Sequence, residues 1–162
     1  MMIRLVNILS LFFRSKHSYF TKLTLLLGGI HLKKNTIINR NFKVYGRGKL
    51  NIGQGCWIGV SNSFFIPHSS NITIGDNSDI GPDVKFYCGT HEIGDELRRA
   101  GKDIEKSIFI GAGAWVGASS IILPGAYIGE GSIVAAGSVV VGRNYPENVL
   151  LAGNPAKIIK NL

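Results

Sequence analysis

No aspartate or glutamate occurs before Asp76. Ten Lys or Arg, from Arg4 to Lys49, precede it, and eight bases and ten acids follow. The first part of the chain therefore carries one sign of charge, and its partners are expected to be anionic: phosphates, an acidic polysaccharide, a membrane surface or nucleic acid. No aromatic-interleaved motif accompanies these bases, so nucleic acid is the weakest of the four. Cysteine is scarce too. The only two are Cys56 and Cys88, with no CxxC pair and no His at metal-ligand spacing. That argues against a disulfide framework or a structural zinc and fits a reducing compartment. No apolar run reaches the ~18 residues needed to span a bilayer. Five prolines stand against 21 glycines, a glycine content high for a helical protein, and the glycines lack the period of three that collagen needs. With 45% apolar and 17% charged residues, a wholly disordered chain is excluded.

What the chain has is a repeat. Leu50-Asn51-Ile52-Gly53-Gln54-Gly55-Cys56-Trp57-Ile58-Gly59 recurs as Ile72-Thr73-Ile74-Gly75-Asp76-Asn77-Ser78-Asp79-Ile80-Gly81. It recurs again as Ile108-Phe109-Ile110-Gly111-Ala112-Gly113-Ala114-Trp115-Val116-Gly117. From Ile110 an aliphatic residue returns every sixth position through Val116, Ile122, Ile128, Val134 and Val140, and the fifth place of each hexad is small: Ala114, Ser120, Ala126, Ser132, Ser138. A period of six is neither helical nor simply alternating. It suits a flat-sided coil in which each hexad is a short strand plus a turn. Three hexads close one triangular coil, and coils stack as parallel ladders about 4.8 Å apart. Ile110 then lies under Ile128. The spacing from Ile52 to Ile74 is one coil plus a small bulge near Ser61–Ser70. The spacing from Ile74 to Ile110 is one coil plus a polar excursion, Gly89–Ser107, which holds His91. Such an excursion from a rigid prism is where function is expected.

The ends differ from the middle. Polar residues in Met1–Phe13 recur every three or four places, which predicts a helix with a narrow polar stripe. It lacks the cleavage site of a signal peptide. It is expected to pack on the first coil or a neighbouring subunit, or to lie in a membrane interface. The prism is expected to begin near Thr36, and Gly153-Asn154-Pro155-Ala156-Lys157 is a turn that ends the stack.

The hexads resemble the hexapeptide-repeat acyltransferases. The combination of Thr90-His91, Glu96-Leu97-Arg98, the long loop, Ile122-Leu123-Pro124-Gly125-Ala126-Tyr127-Ile128-Gly129 and Ala152-Gly153-Asn154-Pro155-Ala156-Lys157 is similar to their galactoside and maltose O-acetyltransferase branch. The resemblance implies an all-β fold, a left-handed parallel β-helix of about five coils. A short N-terminal helix, an extended loop at residues 89–107 and a short C-terminal cap complete it. The segments are 1–35, 36–146 and 147–162. It also implies a homotrimer with active sites in clefts between prisms, and acetyl-CoA as donor. The apolar, basic start departs from the acid-rich start of the galactoside and maltose enzymes and looks more like the surface-polysaccharide O-acetyltransferases. The expected acceptor is therefore a surface polysaccharide, its precursor or an oligosaccharide. An antibiotic or amino-sugar acceptor, and a non-catalytic trimeric module, are the alternatives. A cytoplasmic location, at the inner face of the membrane if the N-terminal segment binds lipid, completes the reading.

By position, His91 matches the family's catalytic histidine. A sugar hydroxyl is a poor nucleophile at neutral pH, and a His near its working pKa is suited to take its proton. Asp76, Asp79, Glu92 or a backbone carbonyl are open as the group that fixes its tautomer. Asn62 matches an acceptor-holding asparagine, and His68 in the small bulge is a second candidate for the acceptor cleft. Ala118, Ala135 and Ala136 match the lining of the pantetheine channel, and Lys157 a basic position near the CoA phosphates. Trp115 should face outward, as a cofactor or subunit contact. Cys56 reads as core, and a Cys88–His91 nucleophile pair is the minor option. Arg98, Arg99, Lys102 and Lys106 are expected to pair with the loop's own acids, with steering of an anionic acceptor or of the CoA phosphates as the other reading. No metal is expected, because a catalytic zinc of this fold needs three converging His and only His68 and His91 lie in the prism.

Overall fold

A computed structural model describes residues 28–162. Three flat faces of parallel strands wind into a left-handed β-helix of about six turns. The first face stacks Ile30–Leu32, Lys49–Ile52, Asn71–Ile74, Ile108–Ile110, Tyr127–Ile128 and Asn144–Tyr145. The second stacks Ile37–Ile38, Trp57–Ile58, Asp79–Ile80, Trp115–Val116, Ile133–Val134 and Val149–Gly153, and Ala156–Asn161 folds back antiparallel on the last of these. The third stacks Lys43–Gly46, Ser63–Ile66, Lys85–Tyr87, Ile121–Ile122 and Val139–Val140.

The hexad explains this shape. Its aliphatic residue points into the prism: Ile110, Val116, Ile122, Ile128, Val134 and Val140 are all fully buried, as are the small residues of the fifth place. The buried serines are satisfied by the backbone. Ser78 Oγ donates to the Gly111 carbonyl at 2.9 Å and Ser132 Oγ to the Pro146 carbonyl at 3.0 Å. Burial of these hydroxyls therefore adds hydrogen bonds to the stack instead of leaving orphaned groups. In the first coils Phe64 stacks on Phe86 at 4.7 Å and packs against Phe42 at 5.1 Å. Corners turn through the left-handed region, at Asn77 (φ 56°), Asp83 (φ 55°) and Gly113 (φ 65°) among others, where Gly, Asn and Asp are least strained. At Gly117 the constraint is space, since a Cβ there would sit 2.5 Å from the Ala136 backbone nitrogen of the next coil.

Both irregular spacings keep the ladder in register. Ile52 pairs with Ile74, and Ile74 with Ile110. One expectation needs adjusting, and two gain detail. The ladder takes in Ile30–Leu32, upstream of the Thr36 start, which is why the turns number about six and not five. The excursion 89–107 is a two-stranded antiparallel arm, Gly89–Ile93 against Ala100–Glu105, because Gly94 and Asp95 give it a turn of its own. The C-terminal cap is a β-hairpin that covers the last open edge of the second face. The expected N-terminal helix lies outside the described residues.

Candidate functional site

The arm leaves the prism at the third corner, between the third and first faces. Its base is fastened: the Lys106 amide donates to the Cys88 carbonyl at 2.8 Å, the Ser69 amide to Glu105 Oε2 at 2.7 Å, and the Asn71 amide to Ser107 Oγ at 3.0 Å. The turn that holds exposed His68 therefore lies against the base of the arm. Farther out, His91 faces Asp103 across the two strands. His91 Nδ1 is 2.9 Å from Asp103 Oδ1 and 3.3 Å from the Gly101 carbonyl. Both neighbours are acceptors, so Nδ1 carries a proton, and in the neutral imidazole Nε2 is the basic nitrogen. The histidine is half-exposed, with Nε2 unengaged by any described residue.

Asp103 was not among the acids considered from sequence. Asp76 instead accepts the Gln54 amide at 3.0 Å and pairs with Lys33 at 3.2 Å, and these two contacts, the amide first, hold its carboxyl below the usual carboxylate range. The backbone carbonyl among the sequence candidates has a counterpart in Gly101. The arm's acids do not pair with its Arg and Lys as expected. Asp95 caps the amides of Leu97 and Arg98 at 3.0 Å each, Glu105 holds Ser69, and Asp103 holds His91. Short carboxylates beside unsatisfied turn amides bond them in preference to flexible, solvated cations. At the tip Ile93 and Leu97 stand 90% and 93% exposed.

A second group gathers at the second corner. The Gly137 amide donates to the Ala118 carbonyl at 2.8 Å, which sets Ala136 directly above Ala118. One coil higher, the Gly153 amide donates to Ser138 Oγ at 3.2 Å. Lys157 faces Ala152 across the C-terminal hairpin, beside this column, and is exposed. Arg143 anchors that hairpin through the Ala156 carbonyl at 2.8 Å. Ala118, Ala135, Ala136 and Lys157 are thus brought together on one edge. Exposed Trp115 lies on the second face just before it, in an outward row with Trp57 and Asp79.

One expectation fails, that for Asn62, and the minor option of a Cys88 nucleophile falls with it. Asn62 is 0% exposed, with its Nδ2 donating to the Gly59 carbonyl at 2.9 Å and its Oδ1 accepting the Val84 amide at 2.7 Å. It occupies the inward fifth place after Ile58 and cannot reach an acceptor. Cys88 is buried, and desolvation pushes its thiol up to about 11, which leaves too little thiolate for a nucleophile. Cys56 is core as expected. The described residues contain no group of three metal-ligating side chains.

The matching family model is the bacterial transferase hexapeptide of six repeats, over residues 107–142. A hexapeptide-repeat containing acetyltransferase of Vibrio cholerae superposes with a TM-score of 0.79 at 30% identity, over 96% of this chain and 86% of its own. A complex of the Vibrio cholerae O1 biovar eltor enzyme with acetyl coenzyme A gives a TM-score of 0.77 at 26% identity, over 97% and 83%. The galactoside O-acetyltransferase of Lactococcus lactis is 30% identical over 130 residues, 68% of this chain and 62% of that protein. The chain spans between 39% and 66% of the length of the first curated relatives it matches.

Proposed function

The chain belongs to the hexapeptide-repeat family of bacterial transferases, and on that footing we propose that it is an acetyl-CoA-dependent O-acetyltransferase acting on a saccharide hydroxyl, with His91 as its general base. The observation that carries the reading is the His91–Asp103 contact at 2.9 Å. It leaves Nε2 as the basic atom of an imidazole held on a two-stranded arm. The acceptor hydroxyl attacks the thioester carbon while Nε2 takes its proton. The tetrahedral oxyanion is met by backbone amides of the Gly- and Ala-rich turns. Collapse breaks the C–S bond, and Nε2 returns the proton to the departing thiolate. Asp103 faces the imidazolium that exists between these two transfers.

The small side chains of Ala118, Ala135 and Ala136 leave room for an extended pantetheine along the second corner, with Trp115 at its border and Lys157 near the phosphates. His68 sits on the acceptor side, near the arm. The second and third corners of one prism are separated by the whole third face. A site shared between copies follows: the arm of one chain reaches the alanine column of the next, as in a homotrimer, and the apolar tip of Ile93 and Leu97 is covered there. A surface polysaccharide or its precursor fits a hydroxyl brought to so open an arm. A cytoplasmic setting, with acetyl-CoA at hand and both thiols reduced, goes with this reading.

The test pairs two variants. His91→Ala is expected to lower turnover about 10²–10⁴-fold and to leave acetyl-CoA binding by calorimetry intact. Lys157→Ala is expected to weaken that binding and spare the chemical step. Turnover by His91→Ala near the wild-type level rules out the proposed base. A folded protein that binds no acetyl-CoA points to the non-catalytic trimeric module.

A further inference from the structure

The charge asymmetry of the sequence becomes a spatial one in the fold. Six of the ten early bases lie in the first coil and its exit: Lys33, Lys34, Arg40, Lys43, Arg47 and Lys49, all exposed. They do not form a row on one face. Lys33 and Lys34 sit at the first corner, Arg40 at the second, Lys43 on the third face, Arg47 at the third corner and Lys49 at the start of the next coil. The end of the prism is thereby circled by positive charge. Among the described residues, Lys33 alone of the six has an acidic partner, Asp76, and the residues before the first coil contain no acid to neutralise the others. Beyond Lys49 the chain is slightly acidic, with eight bases against ten acids.

We propose that this amino-terminal end of the prism docks on an anionic lipid bilayer. A bilayer presents its phosphates in a plane, so cations around the rim of a flat end meet it together. A linear polyanion needs cations in file along a face, and the file through Lys43 is broken by Ser63 before Lys85. The chain also enters the prism at this end. The 27 residues ahead of the described ones add four bases, no acid and the apolar stretches Met1–Phe13 and Leu23–Leu27. The four further bases add to the same electrostatic attraction toward anionic lipid. The arm and the alanine column lie farther along the stack and stay open to solvent in this orientation.

The experiment is sedimentation of the full chain with vesicles of phosphatidylcholine containing about 30% phosphatidylglycerol, against phosphatidylcholine alone. Binding to the anionic vesicles is expected, together with its loss at about 1 M salt, where the Debye length shrinks to about 3 Å. Arg40→Gln/Lys43→Gln/Arg47→Gln is expected to partition about a hundredfold more weakly. A matched control, Lys85→Gln/Lys102→Gln/Lys160→Gln, keeps wild-type partition. Equal losses in both triple variants overturn the proposal. So does wild-type protein that ignores anionic vesicles yet binds heparin, which assigns the ring to an acidic polysaccharide. Acetyl transfer without vesicles is unchanged in the Arg40/Lys43/Arg47 variant, so the outcome is independent of the catalytic reading.

Discussion

Asp103 acts on His91 through a single oxygen, and the Gly101 carbonyl at 3.3 Å is a weaker acceptor for the same Nδ1 proton. Asp103→Ala therefore removes the better partner and leaves the tautomer in place. One net hydrogen bond is worth about 1 kcal/mol, so turnover is expected to fall about five- to tenfold. That loss is far smaller than for His91→Ala, and the acetyl-CoA KM should not move. Asp103→Asn is expected to be worse than Asp103→Ala. Its amide can donate to Nδ1 and drive the proton to Nε2, which removes the base outright. A steady-state comparison of the three variants checks the order. Asp103 was hidden from the sequence because its link to His91 depends on the pairing of the arm's two strands, with a bulge between His91 and Ile93. Asn62 was legible and misread: counted from Ile58 it falls on an inward place, and the frame was a better guide than the family position.

The arm is an element set into the ladder without disturbing it. Ile72, Thr73 and Ile74 pair with Ile108, Phe109 and Ile110 as directly as any two successive coils. Excising residues 90–104 and closing the gap with a two-residue turn is expected to leave the circular dichroism of the prism unchanged and its melting temperature within about 5 °C, while abolishing acetyl transfer. Unfolding of the excised chain would show that the arm is part of the core and not an attachment. The hexads made the prism readable because the inward and outward places of each strand are spelled out residue by residue. The arm's strands carry no such pattern. Their residues are almost all exposed, so burial imposes no alternation, and they read as loop.

At the scale of the whole molecule, the two halves of the candidate site face away from each other on one prism. The shared-site reading predicts complementation. His91→Ala lacks the base, and Ala136→Trp blocks the column. Each alone is expected to be inactive, whereas co-expressed chains that mix at random recover about a quarter of wild-type activity, since that fraction of sites combines an intact arm with an intact column. No recovery in verified mixed oligomers would place the whole site within one chain. The sequence indicated which residues belong to each half, through the Thr90-His91 and Ala152–Lys157 motifs. It did not indicate that they occupy different corners, because a corner is set by counting coils through two insertions.

The register that survives the arm has a further consequence, for how such a protein changes over time. Doubling the stretch of chain between two rungs raises the entropy of closure by only about 0.6 kcal/mol, and the arm supplies its own internal pairing against that. Length and sequence at this third corner can drift almost unopposed by stability, while the corner that holds the alanine column is fixed by backbone packed as tightly as Gly117 on Ala136. On the proposed reading, a new acceptor is reached by rewriting the arm alone, with the alanine column assigned to the donor inherited intact.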